Sequence, residues 1–134
     1  MTAQDNKKIV EHIYAELAKG NGAPFREAMA DDFTWIIKGS TAWSRAYRGK
    51  EAVANELLRP LFAQFKDRYT NTAERVLVDG EYVVVQCKGR VSTVAGEPYN
   101  NSYCLIIRMA DGKMKELVEY LDTALVDRVL TPPN

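Results

Sequence analysis

The chain has 134 residues, of which 46% are hydrophobic, 27% charged and 10% aromatic, a composition that excludes disordered, collagen-like and fibrous classes and fits one globular domain spanning 1–134. Eighteen basic residues balance eighteen acidic ones, so no concentrated positive field marks a nucleic-acid binder or a polybasic membrane clamp. Cys87 and Cys104 lie in apolar runs without CxxC spacing and read as reduced thiols, and no run approaches the ~20 apolar residues of a membrane span, so a soluble, cytoplasmic protein is expected.

In chain order, residues 5–19 read as an amphipathic helix with Ile9, Val10, Ile13, Tyr14 and Leu17 on one stripe, Asp5 as N-cap and Gly20 with Gly22 as the stop. A short helix follows Pro24 and carries Phe25, Ala28 and Met29. The run FTWII at 33–37 reads as a strand, and GSTAWSRAYRG at 39–49 as a loop. Residues 50–65 repeat a helical pattern through Val53, Leu57, Leu58, Leu61 and Phe65, with a kink expected at Pro60. From Tyr69 to Leu121 the period changes to that of strands, with turn signals at Asp79-Gly80, Ala95-Gly96 and Asp111-Gly112, which predicts a four-stranded antiparallel meander. A last helix begins near Asp122. Helices followed by a meander make an α+β domain in which helices close one face of a curved sheet, and a cavity at its wide end is the default ligand site.

The runs ADDFTW, AYRGKEAV and DGKMKELVEYLDTALVDRV resemble the nuclear transport factor 2-like superfamily and, within it, the SnoaL-like polyketide-cyclase and ketosteroid-isomerase-like group. The resemblance spans about residues 5–130 and implies a cone-shaped fold, a pocket inside it and a homodimer formed through the outer sheet face. The catalytic groups of ketosteroid isomerases match Ile36 or Ile37, Ile13 and Leu105 here, so that mechanism has no acid or base to use. The acidic residue that SnoaL-like cyclases and the related epoxide hydrolases carry on the last strand matches Glu119, with Asp122 three residues on. The epoxide-hydrolase Arg and Asp pair is half present, as Arg90 and Ser92.

Strand alternation puts Leu117, Glu119 and Leu121 on one face of the last strand, an apolar setting for a carboxylate. A two-residue turn at Ala95-Gly96 sets Lys88 opposite Tyr103 and Arg90 opposite Asn101. A three-residue turn at Ala110-Asp111-Gly112 then sets Tyr103 opposite Glu119, giving a row Lys88, Tyr103, Glu119 across three strands. A two-residue turn there sets Cys104 opposite Glu119 and dissolves the row. In the row, burial raises the carboxyl pKa, a nearby Lys or Arg lowers it, and Tyr103 with Asn101 donates hydrogen bonds to a substrate oxygen.

Trp43 and Tyr47, aromatics in a loop of small residues, are expected at the pocket mouth, and Trp35, Leu105 and Leu117 along its wall. Asp122 has the simpler role of N-cap for the final helix, and His12 sits on the polar flank of the first helix. The set Val83, Val85, Cys87 and Val91, opposite in parity to Lys88 and Arg90, is expected on the outer, partner-facing surface. One histidine and two separated cysteines build no usual metal site, and no Gly-rich phosphate loop is present, so neither metal nor cofactor is expected. The expected function is proton transfer on a small hydrophobic or aromatic molecule, of isomerase, cyclase or hydrolase type, through Glu119 with Arg90, Lys88, Tyr103 and Asp122. The alternative is a non-catalytic binder of such a molecule.

Overall fold

The structure, a computed structural model, describes residues 1–133. Helix α1 (Ala3–Leu17) begins two residues before the expected start, because Asp5 bonds backwards. Its carboxylate accepts from the Thr2 amide at 3.0 Å while Thr2 Oγ1 accepts from the Asp5 amide at 3.1 Å, a reciprocal box that makes Thr2 the N-cap. Val10, Ile13 and Tyr14 form its buried stripe. Helix α2 (Ala23–Ala28) holds Pro24 in its first turn and buries Phe25 and Ala28.

The sheet has six strands: β1 (Met29–Ile37), β2 (Ala46–Arg48), β3 (Thr70–Asp79), β4 (Tyr82–Arg90), β5 (Ser102–Ala110) and β6 (Lys113–Leu121). Their spatial order is β2-β1-β6-β5-β4-β3, an open sheet in which the expected meander β3 to β6 is joined through a parallel β1–β6 pairing. β2 lies inside the segment read as loop. At three residues it is too short to show a period, and it is held by pairing Tyr47 to Trp35. Between β2 and β3 the helical pattern is broken into α3 (Lys50–Ala52), a π-helical stretch (Val53–Leu58) and α4 (Arg59–Phe62). Pro60 offers no amide hydrogen and its ring crowds the carbonyl four residues back, so the preceding turn widens and the Arg59 amide bonds Ala54. Helix α5 (Thr123–Val129) is capped by Asp122, whose carboxylate accepts from the Leu125 amide at 3.2 Å.

The first hairpin turn is one residue longer than expected, and the second takes the shorter of its two expected lengths. The Ala95-Gly96 turn is three residues long, closed by Thr93 N–H to Glu97 carbonyl at 2.8 Å with Gly96 at φ +86°. The added residue pairs Lys88 with Ser102 and Cys87 with Tyr103. The Asp111-Gly112 turn is a two-residue connection with both φ angles positive, 51° and 75°. Lys115 is then an extra residue on β6, a bulge that sets Glu119 opposite Leu105 rather than Tyr103 or Cys104. A second bulge lies at Glu74 on β3. Bulges bend the strands that carry them, giving the sheet a concave face on which α1 packs over β3 and β4.

The slip at the first turn exchanges the faces of β4. Val83, Val85 and Cys87 pair with Ile107, Leu105 and Tyr103 and are buried on the concave side, and Val91 is buried too; none of the four is on the outer surface. Lys88 and Arg90 take the convex side. The true convex stripe is Leu77, Val84, Ile106, Val118 and Ile36, successive register partners across five strands.

Candidate functional site

The concave face, α1, α2 and the segment from Val53 to Tyr69 enclose a cavity of about 650 Å³. Glu119 reaches its wall because, past the Lys115 bulge, the odd-numbered residues Leu117, Glu119 and Leu121 of β6 face inward. Its lateral neighbours Ile37 on β1 and Leu105 on β5 are apolar, and the residue is only 7% exposed. Oε1 accepts a hydrogen bond from Trp35 Nε1 at 3.0 Å, and among the described residues no side chain donates to Oε2. Burial pushes the Glu119 pKa up to about 7, partly offset by the indole hydrogen bond. The carboxyl group therefore changes charge near neutrality, as a proton carrier must.

Around it stand the phenols of Tyr14, Tyr69, Tyr99 and Tyr103, all on the cavity wall. Tyr103 shares this stretch of wall with Tyr69 and Tyr99. Asn71 Nδ2 donates to Tyr69 Oη at 3.0 Å and Asn101 Nδ2 to Tyr99 Oη at 3.1 Å, so an asparagine orients each outer phenol. Burial pushes the Tyr99 pKa up to about 12 and raises those of Tyr14, Tyr69 and Tyr103 as well, which keeps all four protonated as hydrogen-bond donors. Gly89 makes room for this group: a Cβ there would lie 2.7 Å from Tyr69 Oη. Asn71 Oδ1 is buried and has no hydrogen-bond partner among the described residues.

Of the residues singled out from sequence, the cavity brings together Glu119, Trp35, Trp43, Tyr103 and Leu105. Trp43 is buried, with its indole N–H on the Thr131 carbonyl at 3.1 Å, so it is wall and not mouth. Tyr47 is fully buried away from the cavity, its hydroxyl donating to the Trp43 carbonyl at 2.8 Å. Leu117 is buried core on the same face as Glu119 and does not line the cavity. Asn101 points its amide into the chain: Oδ1 accepts from the Ser102 and Asp122 amides, and Nδ2 donates to Tyr99 and the Asp122 carbonyl. Lys88 is exposed on the convex face, 3.6 Å from Glu74, and Arg90 is exposed there as well, so neither cation approaches Glu119. Asp122 is spent on capping α5. Tyr14, Tyr69, Asn71 and Tyr99 are site residues that the sequence pattern alone does not single out. Tyr69 and Asn71 alternate at the start of β3, a signal that needs the sheet's curvature before it points inward. No group of three or more His, Cys, Asp or Glu side chains that could hold a metal occurs among the described residues.

The model of the SnoaL-like domain matches residues 10–117. The chain belongs to the SnoaL-like family. No curated protein matches it. Solved structures do. A nuclear transport factor 2-like protein of unknown function from Burkholderia pseudomallei has a TM-score of 0.80 at 19% identity, covering 95% of this chain and 98% of its own. A nuclear transport factor 2-like protein from Burkholderia xenovorans has a TM-score of 0.72 at 22% identity, covering 98% and 99%. TerC, co-crystallized with polyporic acid, has a TM-score of 0.77 at 17% identity, covering 93% and 97%. At these identities the likeness is one of fold, and the chemistry rests on this chain's own residues.

Proposed function

We propose that this SnoaL-like protein binds a small, largely apolar or aromatic molecule in the concave cavity and moves a proton on it with Glu119. The observation that carries this reading is a carboxyl group on the wall of an apolar cavity, with one oxygen fixed by Trp35, the other without a side-chain donor among the described residues, and a pKa of about 7. In the carboxylate form Oε2 takes a proton from an acidic C–H or O–H of the ligand. Charge then develops on the ligand's oxygen, which a Tyr103 or Tyr69 hydroxyl meets as donor. Returning the proton to another atom of the ligand completes an isomerisation or ring closure without any cofactor. TerC, a protein of this fold co-crystallized with polyporic acid, supports a small organic molecule as the ligand.

The working unit we propose is a homodimer. The convex stripe from Leu77, itself 54% exposed, to Ile36 crosses five strands without a charge, and Tyr82 and Tyr120 beside it are 43% and 47% exposed. An apolar band of that extent suits a second copy of the same face. Cys87 and Cys104 are free and lie on opposite faces of neighbouring strands, which fits a reducing compartment such as the cytoplasm.

The test begins with native mass spectrometry of the purified protein to identify a co-purified molecule. Incorporation of solvent deuterium into that molecule is then followed by NMR for wild type and Glu119→Gln. Exchange should require the wild-type carboxyl while both proteins bind. Equal exchange by both would remove Glu119 from the chemistry.

A further inference from the structure

One end of the cavity differs from the rest in charge. Arg26, Lys66 and Arg68 line it there with a single acid, Asp67, in a protein whose net charge is zero. Among the described residues none of the three cations has a carboxylate within salt-bridge distance, although five other basic side chains do. Asp67 is already engaged, its Oδ1 accepting from the Ser92 amide at 2.8 Å.

The two arginines are also held in place. Arg68 Nη1 donates to the Gly20 carbonyl at 3.2 Å, and its aliphatic stem occupies the space a side chain at position 20 would take, since a Cβ there would lie 2.2 Å from Arg68 Cδ. A Cβ on Gly22 would lie 2.9 Å from Arg26 Nη1. Both guanidinium groups therefore rest against the one turn between α1 and α2, and the Gly20 hydrogen bond lowers the entropy cost of ordering Arg68 on ligand binding. Arg68 uses one of its five N–H donors in that contact, so most of the donor capacity at the opening is unspent.

The inner part of the cavity has the opposite character. Leu57, Leu61, Phe65 and Leu105 make it apolar, and the pKa of its one acid, Glu119, is raised by burial and partly lowered again by the Trp35 hydrogen bond, neither of which involves the three cations. The cationic opening thus serves something other than the tuning of Glu119. From this division we infer that the cavity's ligand is an anionic amphiphile: a ring-bearing apolar body inside, and a carboxylate or phosphate at the opening, held by Arg26, Arg68 and Lys66. The inference rests on the proposed use of the cavity as a ligand site. It adds that recognition is by charge at one end, so a neutral molecule of the same shape is discriminated against.

Two fluorescent probes that differ by one anionic group separate the claims. N-phenyl-1-naphthylamine reports occupancy of the apolar cavity, and 8-anilino-1-naphthalenesulfonate adds a sulfonate to the same skeleton. Wild type should bind the sulfonate about tenfold more tightly, as expected for charge-assisted bonds that are partly exposed to solvent. That preference should shrink as salt is raised. The triple variant Arg26→Gln, Lys66→Gln, Arg68→Gln should bind both probes equally, with affinity for the neutral one unchanged; the three side chains are exposed, and a near-UV circular dichroism spectrum matching wild type checks the fold. Displacement of the neutral probe by biphenyl-4-carboxylate and by biphenyl-4-yl phosphate, each against biphenyl-4-methanol, then tells which anion is favoured. Equal affinity of wild type for the two probes overturns the anionic assignment and leaves the cavity reading intact. Failure of the neutral probe to bind overturns the cavity reading itself.

Discussion

Replacing Glu119 with Gln should change how stability depends on pH in a way no other side chain imitates. The Glu119 pKa rises from an ordinary 4.5 to about 7 on folding. Its folded-state value is the higher one, so the native state binds the proton more tightly than the unfolded chain does. Stability from this group is therefore fully present below about pH 4.5 and is lost as pH rises through 7. The difference of about 2.5 units corresponds to about 3 kcal/mol. The glutamine side chain keeps the shape of the neutral acid and cannot ionise, so the variant lacks this loss. Urea unfolding of both proteins from pH 4 to 8 isolates the effect, because subtracting one from the other cancels every other titrating group. The variant should be about as stable as wild type at pH 4 and more stable by about 3 kcal/mol at pH 8. A difference that stays flat with pH would show that the carboxyl group is solvated in the folded protein, and the proton-transfer reading would fall with it.

Trp35→Phe removes the one hydrogen bond that steadies the ionised form, so the Glu119 midpoint, read by carbon-13 NMR of the side-chain carboxyl, should move above 7. Gly89→Ala sets a methyl 2.7 Å from Tyr69 Oη at a backbone conformation open to any residue, and should cost about 1–3 kcal/mol by overpacking while weakening binding of N-phenyl-1-naphthylamine. Asn101→Ala strands the Ser102 and Asp122 amides and should lower stability by about 2–4 kcal/mol in urea unfolding, with the pH dependence of wild type retained. Ile106→Lys puts a charge in the middle of the convex stripe and should give a monomer by light scattering where wild type gives a dimer; an unchanged mass would place the interface elsewhere.

The candidate acid is legible in the sequence because parity along a single strand needs no partner: Leu117, Glu119 and Leu121 share a face whatever pairs with them. Its neighbours are not legible, because they depend on turn lengths. One residue more at Val94–Gly96 sends Lys88 and Arg90 to the convex side and brings Cys87 inward. At the next hairpin the two-residue turn and the Lys115 bulge shift the register by two relative to the expected row, so Tyr103 keeps its face and loses its place opposite Glu119. An even slip preserves the face and an odd one exchanges it. Trp43 and Tyr47 read as mouth residues because the short β2 that buries Tyr47 carries no periodic signal.

The order of helices and strands, the turn positions, the inward face of β6 and the N-cap of α5 are local properties, fixed by spacing, capping and glycine chemistry along the chain. The phenol cluster, the cationic opening and the indole on Glu119 join residues far apart in sequence: Trp35 and Glu119 are 84 positions apart, and Gly20 and Arg68 are 48. Such contacts depend on curvature and on bulges whose position follows from how the whole sheet packs against its helices, and only the tertiary structure decided them.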